Sequence, residues 1–182
     1  TGDDRCQSAR GRLSLVRGQS GDVRLRQEPG VDLEETATAD LGSLTGGVAL
    51  ATEASDAVRI RVSALFGDAQ SVELRIGSEG DADAVVIRQD RAGARIELDR
   101  PEAEMPEGFR GSPSAPLARA DEIDWEIWID ALNERVSSLE LFAEHGERVL
   151  TALIPASSQR TFALTAVGGE LHQARASVAE MR

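Results

Sequence analysis

Between Asp121 and Pro155 the chain alternates apolar and polar residues through three successive runs, and that pattern leaves few folds open. In Ile123 to Asp130, the residues Ile123, Trp125, Ile127 and Ile129 share one side of an extended backbone, and Asp124, Glu126, Trp128 and Asp130 share the other. Successive side chains of a strand point to opposite faces, so a period of two marks a strand with one face in a core. After the connection Ala131 to Arg135, the run Val136 to Ala143 repeats the pattern. Glu144-His145-Gly146-Glu147 then supplies a tight turn, and Arg148 to Ile154 follows until Pro155 stops it. Three antiparallel strands are the expected product.

The same signal recurs upstream. Gly11 to Val16 and Asp22 to Gln27 alternate on either side of a Gly18 to Gly21 turn and predict a hairpin closed off by Pro29-Gly30. Residues 31 to 45, with Val31, Leu33, Leu41 and Leu44, fit a short helix or an irregular crossover. Strands are expected at Gly47 to Thr52, Ala57 to Leu65, Ser71 to Ile76, Ala84 to Gln89 and Ala94 to Asp99. If the second and third of these pair, Arg61 and Glu73 meet across the outer face, an interaction worth roughly 0.2 to 1 kcal/mol. Arg100 to Ala120 holds four of the six prolines, which cannot donate to a sheet ladder, and predicts a long loop or flap. Gln159 to Val167, a Gly168-Gly169 turn and Glu170 to Met181 complete the chain.

Short strands separated by turn signals, with no competing helical periodicity, predict an all-β fold, an antiparallel β-sandwich of jelly-roll or lectin-like type. The 182 residues suffice for one core. The single cysteine, Cys6, has no internal disulfide partner, and no apolar run reaches the roughly 18 residues of a membrane helix. The formal charge is −12, and all 20 basic residues are arginines dispersed among 32 carboxylates. Such a surface disfavours nucleic acid and membranes as partners.

The outward row Glu126, Trp128 and Asp130 combines one indole plane with flanking carboxylates, the parts that hold a sugar by its C–H face and its hydroxyls. The same indole also serves to cover a sheet edge, pack in a second buried layer or contact a partner domain, which is the commoner use of a Trp. His145 and His172 lack metal-ligand spacing, no Gly-x-Ser-x-Gly elbow occurs, and neither Gly-Gly pair opens a helix. No cofactor is expected from these patterns.

Leu98-Asp99-Arg100, Ser137-Ser138-Leu139-Glu140-Leu141-Phe142, Gly146-Glu147 and Ile154-Pro155 occur in an order and spacing that resembles the C-terminal β-sandwich module of glycoside hydrolase family 32. That family contains invertases, levanases, inulinases and related β-fructosidases. Arg10-Gly11-Arg12-Leu13-Ser14-Leu15-Val16-Arg17, followed by Leu25-Arg26-Gln27-Glu28-Pro29, is similar to the segment that leaves the family's catalytic propeller. Two departures stand out: Ala131 to Val136 is longer than the family's usual link, and no Trp precedes Arg10-Gly11.

The resemblance implies that residues 1–30 are a lead-in segment or linker and residues 31–182 the sandwich. It implies a five-bladed N-terminal propeller as partner, in cis or as a separate chain. That propeller would carry the Asp nucleophile and Glu acid/base of a retaining mechanism. Here Asn133 is the only Asn, and neither an Asp-Pro nor a Glu-Cys dipeptide occurs. The catalytic carboxylates are therefore expected outside this chain, with support of the propeller or of an oligomer as its role. Fructan binding is the alternative. Arg100, Asp130 and Glu140 lie at family-like positions. They suit either a buried Arg–carboxylate fork or half of a fructose pocket, and with Glu126 and Trp128 they form the candidate carbohydrate-binding set.

Overall fold

The computed structural model describes residues 12–17, 23–28, 37–51, 57–77, 84–101, 111–157 and 160–180. Among these there is no helix. The strands are β1 (Arg12–Arg17), β2 (Val23–Glu28), β3 (Ala37–Ala51), β4 (Ala57–Phe66), β5 (Ser71–Ile76), β6 (Val85–Asp90), β7 (Arg95–Asp99), β8 (Ser114–Pro116), β9 (Glu122–Ala131), β10 (Val136–Ala143), β11 (Arg148–Pro155) and β12 (Thr161–Glu180). All pairings are antiparallel. β1 and β2 form a separate two-stranded sheet, and the remaining strands run in the order β11-β10-β9-β4-β12-β5-β6-β7-β8, with β3 alongside β12.

The architecture turns on β12. The Gly168-Gly169 pair does not end a strand, as its sequence suggests. It bends one continuous 20-residue strand. Before the bend β12 pairs with β5, and after it with β4, while β3 follows it on the other edge through both halves. Two six-stranded layers result, β11-β10-β9-β4-β12-β3 and β8-β7-β6-β5-β12-β3, sharing the β3–β12 ribbon. Both glycines have positive φ, 73° and 157°, and a Cβ on Gly169 would lie 2.5 Å from Asp68. The β4–β5 connection steps over the bend and clasps it, with Gln70 N–H donating to the Val167 carbonyl at 2.9 Å and Glu170 N–H to Asp68 Oδ1 at 2.7 Å.

This arrangement corrects two expectations. Residues 37–45 are not helical or irregular but belong to the 15-residue strand β3, while residues 31–36 lie outside the described residues. β4 and β5 do not pair, because β12 takes the place between them. Arg61 instead meets Glu126 at 3.4 Å, and Glu73 meets Arg88 at 2.6 Å. Within the proline-rich stretch, Ser114–Pro116 forms the short strand β8 against β7, and residues 102–110 lie outside the described residues.

The inward faces meet as the alternation requires. Ile60, Leu74, Ile87, Leu98, Ile127, Leu139, Phe162 and Leu164 are fully buried, and Trp125 is nearly so. The polar side chain of Gln89 crosses this core. Gln89 accepts from Trp125 Nε1 at 3.0 Å and donates through Nε2 to the Glu122 and Ala120 carbonyls at 2.8 and 3.3 Å. It satisfies the buried indole N–H and ties the two layers, as a buried amide must if it is not to lose its hydrogen bonds.

Candidate functional site

The candidate residues from β9 and β10 stand together on the outer face of the first layer. The ladder sets Trp128 between Arg59 of β4 and Glu140 of β10, Glu126 between Arg61 and Phe142, and Asp130 between Ala57 and Ser138. Arg100 sits apart, at the end of β7, and its Nη1 donates to the Leu153 carbonyl of β11. It ties the start of the proline-rich stretch to the central strands through a backbone acceptor.

On this face the indole is occupied. Trp128 is 5% exposed, its Nε1 donates to Glu126 Oε1 at 3.0 Å, and the Arg59 guanidinium carbon lies 5.7 Å from the ring centroid. A cation–π contact of this geometry contributes about 0.5 to 2 kcal/mol, more as water is excluded, and Arg59 itself is 2% exposed. Burial also pushes the Glu140 carboxyl above its ordinary range by penalising its charged form. The indole and the carboxylates of β9 and β10 thus share one face, but the guanidinium beside them is that of Arg59 and not of Arg100, and the indole is spent on Glu126 and Arg59.

The open part of the face lies beside this cluster. A groove of about 470 Å³ runs across β3, β4, β9 and β12, lined among others by Thr38, Arg61, Ser63, Asp124, Glu126 and Arg175. The Arg61 and Arg175 side chains are 45% and 67% exposed. Donors and acceptors alternate along it, an arrangement suited to hydroxyl groups.

Sequence patterns missed the residues that close the sandwich. Glu144, 7% exposed in a turn, accepts from the Ala118 and Arg119 N–H groups through Oε1, both at 2.6 Å. Arg148 Nε donates to the Pro116 carbonyl at 2.7 Å. His145 is clipped to Asp124, with both its backbone N–H and its Nδ1 2.7 Å from Oδ2. Gln89 did leave a signal, since it falls in phase with the inward Val85 and Ile87. Glu144 left none. Among the described residues no group of three or more His, Cys, Asp or Glu side chains is placed to hold a metal ion.

The family model for the C-terminal part of glycosyl hydrolases of family 32 matches residues 9–180. The chain belongs to that family. Its fold is similar to that of an exo-inulinase from Aspergillus awamori, with a TM-score of 0.78 at 21% identity, covering 94% of this chain and 35% of that one. A β-fructofuranosidase from Schwanniomyces occidentalis gives 0.70 at 12%, covering 93% and 39%. A sucrose-6-phosphate hydrolase from Lactobacillus gasseri gives 0.65 at 18%, covering 93% and 33%. The chain therefore spans between a third and two-fifths of these solved structures. No curated protein sequence matches it. It is a family 32 C-terminal β-sandwich domain, the part that in these enzymes accompanies an N-terminal catalytic domain.

Proposed function

We propose that this domain is the non-catalytic partner of a β-fructofuranosidase-type catalytic domain and serves to stabilise it, or an oligomer of it. In this reading residues 1–30 lead in from a five-bladed propeller and residues 31–182 form the support module. The observation that carries the proposal is the closed state of the outward row: Trp128 is buried under Arg59 with its N–H spent on Glu126, and the neighbouring Phe142 is 4% exposed, so both aromatic rings of this face among the described residues are built into the structure. The measurement that tests it is the thermal stability of the catalytic domain with and without this domain. A fall in melting temperature on removal is expected, and an unchanged melting temperature sinks the reading.

A second reading, a fructan-binding module, is favoured by one observation, the open polar groove along Arg61, Glu126 and Arg175. Titration of the isolated chain with levan, inulin and fructose separates the two. A purely supporting domain shows no heat of binding at millimolar sugar, whereas the groove reading requires saturable binding.

A further inference from the structure

The side chains of β12 change sides part-way along the strand. From His172 to Arg175 it advances three residues while β4 advances two, from Leu65 to Ser63. From Leu171 to Ala174 it again advances three, while β3 advances two, from Leu44 to Gly42. One residue more on a strand than on its neighbours is a β-bulge, a feature that re-aims side chains. Gln173 sits in it with a φ of 53°, a left-handed conformation that residues with a side chain rarely adopt. β3 answers one step later with an extra residue of its own, where Gly42 takes a φ of 57°.

The bulge decides where Arg175 points. Leu171 is fully buried, and in an unbroken strand the residue four positions on would face the core with it. With the extra residue in place, Ala174 and Ala176 take the inward positions, and Arg175 turns outward beside Ser63 with its side chain 67% exposed. Ser177 then falls beside Arg61. On these two neighbouring strands the arginines occupy one diagonal and the serines the other. Short side chains therefore floor a hollow flanked by two guanidinium groups, within the groove of about 470 Å³. β9 borders it with Asp124 and Glu126, and β3 with Asp40.

A hydroxyl group both donates and accepts, and this block offers it both partners, guanidinium donors at the centre and carboxylates at the borders. A phosphate or carboxylate ligand would meet Asp40, Asp124 and Glu126, and a basic ligand would meet the two arginines. The floor spans three gaps between strands, from β3 through β12 and β4 to β9, or about 14 Å. That is longer than one sugar ring. We propose that the block formed by Arg61, Ser63, Arg175 and Ser177 binds a neutral oligosaccharide laid across β12 and β4, with the Gln173 bulge aiming Arg175 at it. The inference rests on the sugar-binding reading above and names its subsite, its ligand length and the residue that positions the arginine.

Calorimetric titration of the full chain with fructose, an inulin-derived pentasaccharide and inorganic phosphate tests this. The pentasaccharide is expected to bind about tenfold more tightly than fructose, and phosphate not to bind. Ser63→Phe, which fills the hollow from an exposed position, and Arg175→Gln should each weaken the pentasaccharide about tenfold at an unchanged melting temperature. Gln173→Val resists the positive φ and should also weaken it, whereas Gln173→Gly should bind as the parent does. Equal affinity for fructose and pentasaccharide overturns the chain-spanning site, and phosphate that competes with the sugar overturns the neutral class. Parent-like binding in Gln173→Val removes the role of the bulge. Parent-like binding in Ser63→Phe and Arg175→Gln removes this subsite while the sugar-binding reading stands. If no sugar binds at millimolar concentration, both fall together.

Discussion

Arg148 reaches from β11 to the Pro116 carbonyl in β8, 2.7 Å away, and so joins the two strands that stand at opposite ends of the sheet order. The ladder leaves these edges unpaired, and side chains close the gap. Arg100 repeats the stitch onto Leu153, and Glu144 holds the Ala118 and Arg119 N–H groups. Arginine suits the task because its fixed fork carries a charge-assisted donor to a carbonyl that no backbone N–H reaches.

Arg148→Met, which keeps most of the stem, is expected to destabilise the domain by about 1.5 to 3 kcal/mol, the range for a hydrogen bond to a charged group. Urea unfolding with an unchanged m-value checks this. A loss below the resolution of the measurement means that the seam is held elsewhere.

Gly146 permits the close approach of the hairpin. Its φ is +84°, and a Cβ there would lie 1.8 Å from the Gln27 carbonyl oxygen. Gly146→Ala is expected to detach β1–β2 while sparing the sandwich. Hydrogen exchange reads this directly: amides of residues 23–28 lose protection and those of β4, β9 and β12 keep theirs. Retained protection in β2 contradicts the role given to this contact.

Much of the sandwich can be read from the chain, and the losses have a common cause. Alternation located β4, β5, β9, β10 and β11 to within a residue or two and assigned the inward face of β9, because the period of a strand is a local property. It did not place β12 between β4 and β5, since strand adjacency is decided by long-range pairing. Gly168-Gly169 misled because a positive φ serves a turn and a bend equally well, and the clasp of the 67–70 loop selects the bend. At the candidate site the orientation of Trp128 and its commoner use in packing were legible, but the partner that covers it was not, because that is Arg59 from a strand almost 70 residues away in the chain.

Gln89→Leu is expected to cost about 2 to 4 kcal/mol, since it leaves the Trp125 N–H and the Glu122 and Ala120 carbonyls without their partner inside the core. Trp125→Phe removes the indole donor as well as ring volume. The two changes share one hydrogen bond, so the double variant should lose less than the sum of the single variants. Strict additivity in a double-mutant cycle refutes the coupling.

Glu140 predicts a pH dependence. Burial raises its carboxyl pKa in the folded state, so the native chain binds this proton more readily than the unfolded chain does. Stability from this group is therefore highest in acid and falls as pH rises from the ordinary carboxylate value through the raised one. The deficit persists at neutral pH. Glu140→Gln should raise the melting temperature at pH 7 and flatten that part of the stability profile. A variant that is less stable at pH 7 than the parent shows that the charged carboxylate is held by a favourable partner.

The groove and the indole make opposite predictions for sugar binding. Trp128→Phe keeps an aromatic ring under Arg59 and loses the donation to Glu126 together with part of the buried ring volume, at a cost of about 1 to 3 kcal/mol in stability. If levan or inulin binds the isolated chain, Arg61→Ala and Arg175→Ala should each weaken it at least tenfold, because both side chains are open in the groove, while Trp128→Phe leaves it unchanged. Calorimetric titration of the three variants decides. Loss of binding in Trp128→Phe alone would mean that the ring leaves its place under Arg59 to meet the ligand, and the site would return to the row Glu126, Trp128 and Asp130.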